Sequence, residues 1–345
     1  MLKNRKLVAY TLVIVTTIVA TLSFYFWQVA SSANLNVKGE KTFVLYIPSN
    51  GTYANVVDSL HKHRVIHDEI SFQFLSKWMK YPENVKGGRY EIKPNSSNKE
   101  IISKLKRGLQ DDVRLTFNNI RLKSDLIKKI GSRFEFSNEE LLEKLQDKEV
   151  CNKYGFDTTT IMCMFLPNTY FVRWTTTSEK FLDRMHDEYD KYWTADKLAK
   201  AKSINMTPVQ VAVMASIVQS ETNKKDEMPR VAGSYINRLA INMPLQADPT
   251  VKFAVGDFSI KRIMEKHLAI SSPYNTYRNT GLPPGPIALP EPVALDAVLN
   301  YEHHDYIYFC AKEDFSGYHN FAVTYSDHLH NAHIYQEALN KAKIR

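Results

Sequence analysis

Hydrophobic and polar positions divide the chain into three stretches. One long apolar run opens it, short strands alternating with amphipathic helices follow, and the last part surrounds a helix that is apolar on nearly every side. The opening run, Leu7 to Trp27, carries no charge and follows Lys3, Arg5 and Lys6. Crossing a bilayer core takes about 20 apolar residues, so the run is long enough. A cleaved signal peptide has a shorter apolar region, about 7–15 residues, ending in small residues. Ala30-Ser-Ser-Ala33 supplies small residues and leaves cleavage open. The length of the run and the Tyr25–Trp27 aromatic belt favour a retained anchor. The basic flank then stays cytoplasmic, and the chain from about Ser31 lies outside the cytoplasm.

Residues 31–40 read as a short polar linker. From Lys41 a small α+β module shows a faint internal echo of strand, polar turn and amphipathic helix. Phe43–Ile47 precedes the helical pattern Ala54–His63. Tyr90–Ile92 precedes Lys99–Lys106, with Ser97 or Asn98 as cap, and Val113–Phe117 precedes Ser124–Ile130. Trp78, Tyr81 and Tyr90 suit either sugar stacking or, as isolated aromatics more often do, a core. Residues 134–200 are mostly helical, including a helix from Ser137 to about Asp147 and another over Ser178–Tyr192. Leu166-Pro-Asn-Thr-Tyr170 reads as a turn packed against a cleft. Towards the C-terminus the pattern predicts short helices at Lys261–His267 and Leu295–Asn300. It also predicts a strand at Tyr306–Cys310 paired antiparallel with Phe321–Thr324. The hairpin Ala311–Asn320 between them presents Tyr318, His319 and Asn320, and Asp327 caps a final helix.

The central helix starts at Thr207. That residue caps it, Gln210 can reach back, and Pro208 fills the first helical position, where a missing N–H costs nothing. Val209, Ala212, Val213, Ala215, Ile217 and Val218 cover almost the whole circumference, which marks a buried helix. It ends in Glu221, before the charged loop Lys224 to Glu227. A carboxylate there meets the negative end of the helix dipole, unfavourable by roughly 0.3–1 kcal/mol, and apolar packing pushes the same way. A carboxyl group that keeps its proton near neutral pH is what a general acid needs. A solvated Glu at a helix end is the plainer alternative. After the loop, Pro229 opens a second helix carrying Tyr235, Asn237 and Arg238. Gln246, Asp248 and Thr250 then alternate along an extended or turning segment and could line one wall together.

With 345 residues, about two domains are expected. The net charge of +8 suits anionic lipid or an acidic polymer as well as mere solubility. No basic cluster or motif points to nucleic acid. Cys151, Cys163 and Cys310 have neither metal-site nor redox spacing; buried free thiols are expected, although Cys151 and Cys163 are close enough in sequence to pair. His328, His330 and His333, with Glu302-His-His-Asp305, lack a metal-binding face, so no metal and no cofactor are expected.

The segments ASIVQSET, INRL, MPLQADPTV, SPYNTY, GLPPGPI and GYHNF, in this order with these gaps, resemble the MltG (YceG-like) family of endolytic murein transglycosylases. The likeness is close over about the last 140 residues and looser over nearly the whole chain. It implies an α+β protein: anchor over 1–30, linker 31–40, LysM-like module 41–120, helical connector 121–160 and catalytic domain 161–345. It implies further that Glu221, as sole general acid and base, cleaves the bond from N-acetylmuramic acid to N-acetylglucosamine within peptidoglycan glycan strands without water, leaving 1,6-anhydro ends. Gln246, Asp248, Thr250, Asn275, Tyr277, His319 and Asn320 would hold the substrate. Partners would be peptidoglycan, the bilayer through Leu7–Trp27 and the wall synthases, at the inner (cytoplasmic) membrane. Two departures from the family pattern stand out. Gln219 replaces a frequent Glu, which leaves proton transfer to Glu221, and Asn168 replaces an Asp. Two other readings stay open: a hydrolase using Glu221 with Asp248, whose second carboxylate would activate water, and a wall-binding scaffold without catalysis.

Overall fold

The computed structural model describes residues 2–35, 42–260 and 262–342, with side chains from residue 5 onward. The chain divides into two compact units. The first holds residues 1–115, 133–136 and 170–176; the second holds 116–132, 137–169 and 177–345.

In the first unit, helix α1 (Leu2–Ser31) contains the apolar run and is long and apolar enough to cross a membrane. It passes directly into strand β1 (Ala33–Leu35), where a polar linker was expected; Val29, Ala30, Asn34 and Leu35 are buried, and residues 36–41 lie outside the described residues. Strand β2 (Phe43–Ile47) and helix α2 (Tyr53–Lys62) follow as the pattern predicted, α2 being capped by Thr52. Helix α3 (Glu69–Trp78) was not anticipated. Its buried face is Ser71, Phe72, Leu75 and Ser76, and the exposed Ile70, Phe74 and Trp78 interrupt the polar positions Glu69, Gln73 and Lys77 on the other side, which blurs the amphipathic pattern. Strand β3 (Gly88–Ile92) pairs antiparallel with β2, from Phe43 opposite Ile92 to Ile47 opposite Gly88. The short strand β4 (Ser96–Ser97) pairs with β1, and helix α4 (Asn98–Arg107) starts on the Ser97 cap. Tyr81 and Tyr90 are fully buried in this core, while Trp78 is exposed. Strand β5 (Val113–Phe117) leads out.

The second unit is mainly helical. Helices α5 (Lys123–Gly131), α6 (Asn138–Gln146, capped by Ser137) and α7 (Lys148–Lys153) precede a 3-10 turn at Ile161–Met164. Strand β6 (Asn168–Val172) pairs with β5, so the segment read as a turn is in part a strand. Helices α8 (Ser178–Tyr192), α9 (Ala195–Ser203), α10 (Pro208–Glu221) and α11 (Met228–Ala240) come next. Then follow α12 (Asp248–Val255), α13 (Glu265–Leu268) and α14 (Pro292–Leu299). Lys261, placed on a helix by the sequence pattern, lies outside the described residues. Strands β7 (Tyr308–Ala311) and β8 (His319–Ala322) form an antiparallel hairpin, with His319 and Asn320 on the strand itself. Helix α15 (Tyr325–Lys341) is capped by Thr324, whose hydroxyl also donates to Asp327; the cap therefore sits three residues before the expected one. Cys151 and Cys163 are buried free thiols and Cys310 is a half-buried one.

Helix α10 runs through the middle of this unit, packed against α14, α11 and α12. Its residues Val211 to Val218 are all buried. Gly233 lets α11 approach the 302–304 segment, because a Cβ there would sit 2.4 Å from the Glu302 carbonyl oxygen.

Candidate functional site

The capping box expected at Thr207 is present. Gln210 N–H donates to Thr207 Oγ1 at 3.2 Å, and Thr207 N–H donates to Gln210 Oε1 at 2.8 Å. Polar residues inside the helix lace it to the 287–291 segment. Ser216 Oγ donates to the Val213 carbonyl and accepts from Ile287 N–H. Gln219 accepts from Glu291 N–H at 2.6 Å and donates to the Leu289 carbonyl. Gln219 is thus a structural tie.

Glu221 is the last helical residue. Its side chain is partly open to solvent, but protein surrounds the carboxyl group closely. That burial is the main cause pushing its pKa up to about 7, and the negative charge of Asp248 adds to it. A hydrogen bond from Tyr235 and the positive charges of Lys252 and Arg238 act in the opposite direction. Tyr235 Oη donates to Glu221 Oε1 at 2.7 Å. The Tyr235 hydroxyl is itself pushed well above its ordinary range by burial and by Glu221, so it remains a donor. Its ring is held edge-on to Phe309.

The expected substrate contacts separate into two kinds. Asp248 and Gln246 are exposed. Asp248 lies in the first turn of α12 and accepts a hydrogen bond from Tyr277 Oη at 2.7 Å. Gln246 adopts the left-handed conformation (φ 48°), its N–H donating to the Thr276 carbonyl. Thr250 and Asn275 are buried instead. The Thr250 hydroxyl donates to the Ala247 carbonyl and shares a hydrogen bond with Thr276. Asn275 donates to the carbonyls of Leu268 and Ile270 and accepts from Tyr277 N–H. Their polar groups shape the loops that carry Gln246, Asp248 and Tyr277. His319 is gripped by Glu227, which accepts from its N–H at 2.7 Å and bonds to Nδ1 at 2.9 Å. Asn320 donates to Glu313 along the hairpin.

Sequence reasoning left three contributors out of the site. Tyr235 stands on a helix that the pattern did detect, but it lies 14 positions beyond Glu221, across a loop. Lys252 reads as an ordinary surface cation. Glu227 lies in a loop that looks solvated, yet it is 4% exposed. Arg238 is buried as well, donating to the carbonyls of Ile307 and Leu245 at 2.6 Å each. The histidine-rich segments serve other ends. His304 bonds to the Arg230 carbonyl, Glu302 pairs with Arg230, and His328 stacks on Tyr308. Asn168 helps line a cavity of about 320 Å³ with Thr116, Asn118, Thr169, Lys225 and Glu291.

Fold and site together define a class: an α+β protein with a protonatable carboxyl group at a buried helix terminus. The YceG-like family model matches residues 45–334. The endolytic murein transglycosylase of Bacillus subtilis is 31% identical over 294 residues, covering 80% of this chain and 81% of that protein. The endolytic murein transglycosylase of Streptococcus pneumoniae is 24% identical over 317 residues, which cover 83% of this chain but 57% of that longer protein. A crystal structure of a YceG-like protein from Listeria monocytogenes superposes with a TM-score of 0.56 at 25% identity, over 85% of this chain and 99% of that one. The chain belongs to the YceG-like family.

Proposed function

We propose that this chain is an endolytic murein transglycosylase, a lyase that cuts within peptidoglycan glycan strands, and that Glu221 is its acid and base. The observation carrying this reading is the Glu221 carboxyl group, held by burial at a pKa of about 7 beside a Tyr235 hydroxyl that stays protonated. Protonated Glu221 gives its proton to the oxygen joining N-acetylmuramic acid C1 to N-acetylglucosamine C4, and the C1–O bond breaks. The muramic C6 oxygen bonds to C1, its proton passes to the Glu221 carboxylate, and the enzyme is regenerated without water. One group serves both steps because its pKa lies near working pH. Tyr277 and Asp248, bonded to one another, with Gln246 and the hairpin residues His319 and Asn320, contact the sugars or peptide stem in this reading. Thr250 and Asn275 hold those contacts from behind.

The anchor reading accompanies it. Helix α1 crosses the inner (cytoplasmic) membrane with its basic end in the cytoplasm, so that the rest of the chain meets nascent strands where the wall synthases make them. Residues 41–120 act as a LysM-like glycan-holding module.

The test is product analysis of uncrosslinked glycan strands by mass spectrometry, with the wild type and Glu221→Gln. Internal fragments ending in anhydro-muramic acid, absent with the variant, are expected. Reducing ends one water heavier would make the enzyme a hydrolase and turn attention to Asp248 as the second carboxylate. Binding without cleavage by the wild type would leave a scaffold.

A further inference from the structure

We infer that the C-terminal end of α3, centred on Trp78, rests in the headgroup layer of the membrane beside the exit of α1; this rests on the reading of α1 as an anchor. Helix α3 has a row Ile70, Phe74, Trp78, spaced by four and therefore on one face, with exposures of 83, 52 and 64%. A helix on a water-facing surface carries polar residues on that side. Its direction is fixed at both ends. At the start, Asp68 N–H donates to Asn34 Oδ1 at 2.7 Å and Asn34 Nδ2 donates to the Asp68 carbonyl at 2.8 Å. At the finish, the Trp78 ring lies edge-on to Phe26 of α1, centroids 4.8 Å apart. Helix α3 therefore runs back along the exit segment, from the level of Asn34 towards the apolar run.

The joint is fixed in place. Val29 and Ala30 are part of the core of the first unit, and Asn98 Nδ2 donates to the Val29 carbonyl and to Ser71 Oγ. Phe26 is one residue from Trp27, after which polar residues begin with Gln28, which puts it at the edge of the hydrocarbon. Trp78, in contact with it, shares that depth with the exposed rings of Tyr25 and Trp27, the level where tryptophan and tyrosine settle. Lys77 and Lys80, both exposed at the same end of α3, then reach lipid phosphates. The occupant of the Trp78 end of this face is the bilayer itself. A second contact of this kind stops the first unit from pivoting on its anchor.

The test uses the full chain with Cys310→Ser, in vesicles of phosphatidylethanolamine and phosphatidylglycerol. A fluorescent label goes either on Lys77→Cys or, within the span, on Val15→Cys. Nitroxide lipids spin-labelled at the headgroup or deep in the acyl chain, and aqueous iodide, serve as quenchers. The expected result is that headgroup nitroxide quenches the label at 77 more than deep nitroxide or iodide does, while deep nitroxide quenches the label at 15. Iodide quenching at 77 with deep quenching at 15 overturns the inference and leaves the anchor standing. A label at 77 shielded from every quencher also overturns it, because protein then covers the face. Iodide quenching at 15 removes the anchor and the inference together.

Discussion

Tyr235 Oη donates to Glu221 Oε1 at 2.7 Å, so the carboxyl that burial keeps protonated is also held by a hydrogen bond that favours its ionised form. The balance lies with burial, at a pKa of about 7. In the proposed mechanism cleavage needs the protonated acid, so kcat/KM is expected to fall tenfold per pH unit above about 7. Tyr235→Phe removes the opposing bond. A hydrogen bond to a charged group is worth about 1.5–3 kcal/mol, so the alkaline limb should move up by roughly one to two pH units. The maximal rate should fall, because the carboxyl group is held less firmly. An unchanged alkaline limb would exclude Tyr235 as a positioning residue.

Glu221 also makes a prediction about stability. Its folded pKa, about 7, lies above the ordinary 4.5, so between these values the folded chain keeps a proton that the unfolded chain has lost. Stability therefore falls as pH rises through that window and is unaffected by this group below it. Glu221→Gln cannot ionise and can still accept from Tyr235. It should match the wild type near pH 4.5 and exceed it at pH 8 by on the order of 3 kcal/mol, or several degrees in Tm. Thermal unfolding at the two pH values is the measurement; equal Tm differences at both would mean that the carboxyl group is not buried as described.

The helix carrying Glu221 was legible because its signals are local. Thr207, Pro208 and Gln210 make a capping box within four residues, and the apolar run that follows has no polar face to mislead. The strands β2, β5 and β7 were legible for the same reason. Helix α3 was not, since Ile70, Phe74 and Trp78 interrupt the polar outer positions Glu69, Gln73 and Lys77. The site was legible only in part. Gln246, Asp248 and Thr250 were read together on one wall of an extended or turning segment because they alternate, but a helix starts at Asp248 and turns Thr250 inward. Which carboxylate touches which hydroxyl is set by the packing of α10, α11 and the 302–320 segment, at separations no local pattern encodes.

Thr250 and Asn275 should behave as supports. Asn275→Ala leaves the carbonyls of Leu268 and Ile270 without their donor inside the protein, at about 1–3 kcal/mol. Thr250→Val takes away the Thr276 hydroxyl's side-chain partner, leaving it only the bond it accepts from Ala247 N–H. Both variants should lower the urea midpoint yet leave KM for glycan strands within about twofold where the protein is folded, since neither side chain faces solvent. A large rise in KM with an unchanged midpoint would return these residues to the substrate.

Glu227 makes the sharpest demand on packing. Its carboxylate is almost wholly enclosed (side chain 3% exposed) and bonds both to the backbone and to the ring of His319, 92 residues away. Glu227→Ala removes the acceptor for the His319 N–H and leaves a cavity beside the imidazole. The expected loss is about 1–3 kcal/mol, the cost of leaving a buried donor without its acceptor. His319→Ala alone leaves the carboxylate with its backbone donor and should cost less. In the double variant the cost should fall short of the sum of the single costs by more than about 1 kcal/mol, because each single change strands the other partner. Urea unfolding of the four proteins closes this cycle, and additive costs would show that Glu227 and His319 are neighbours without being coupled.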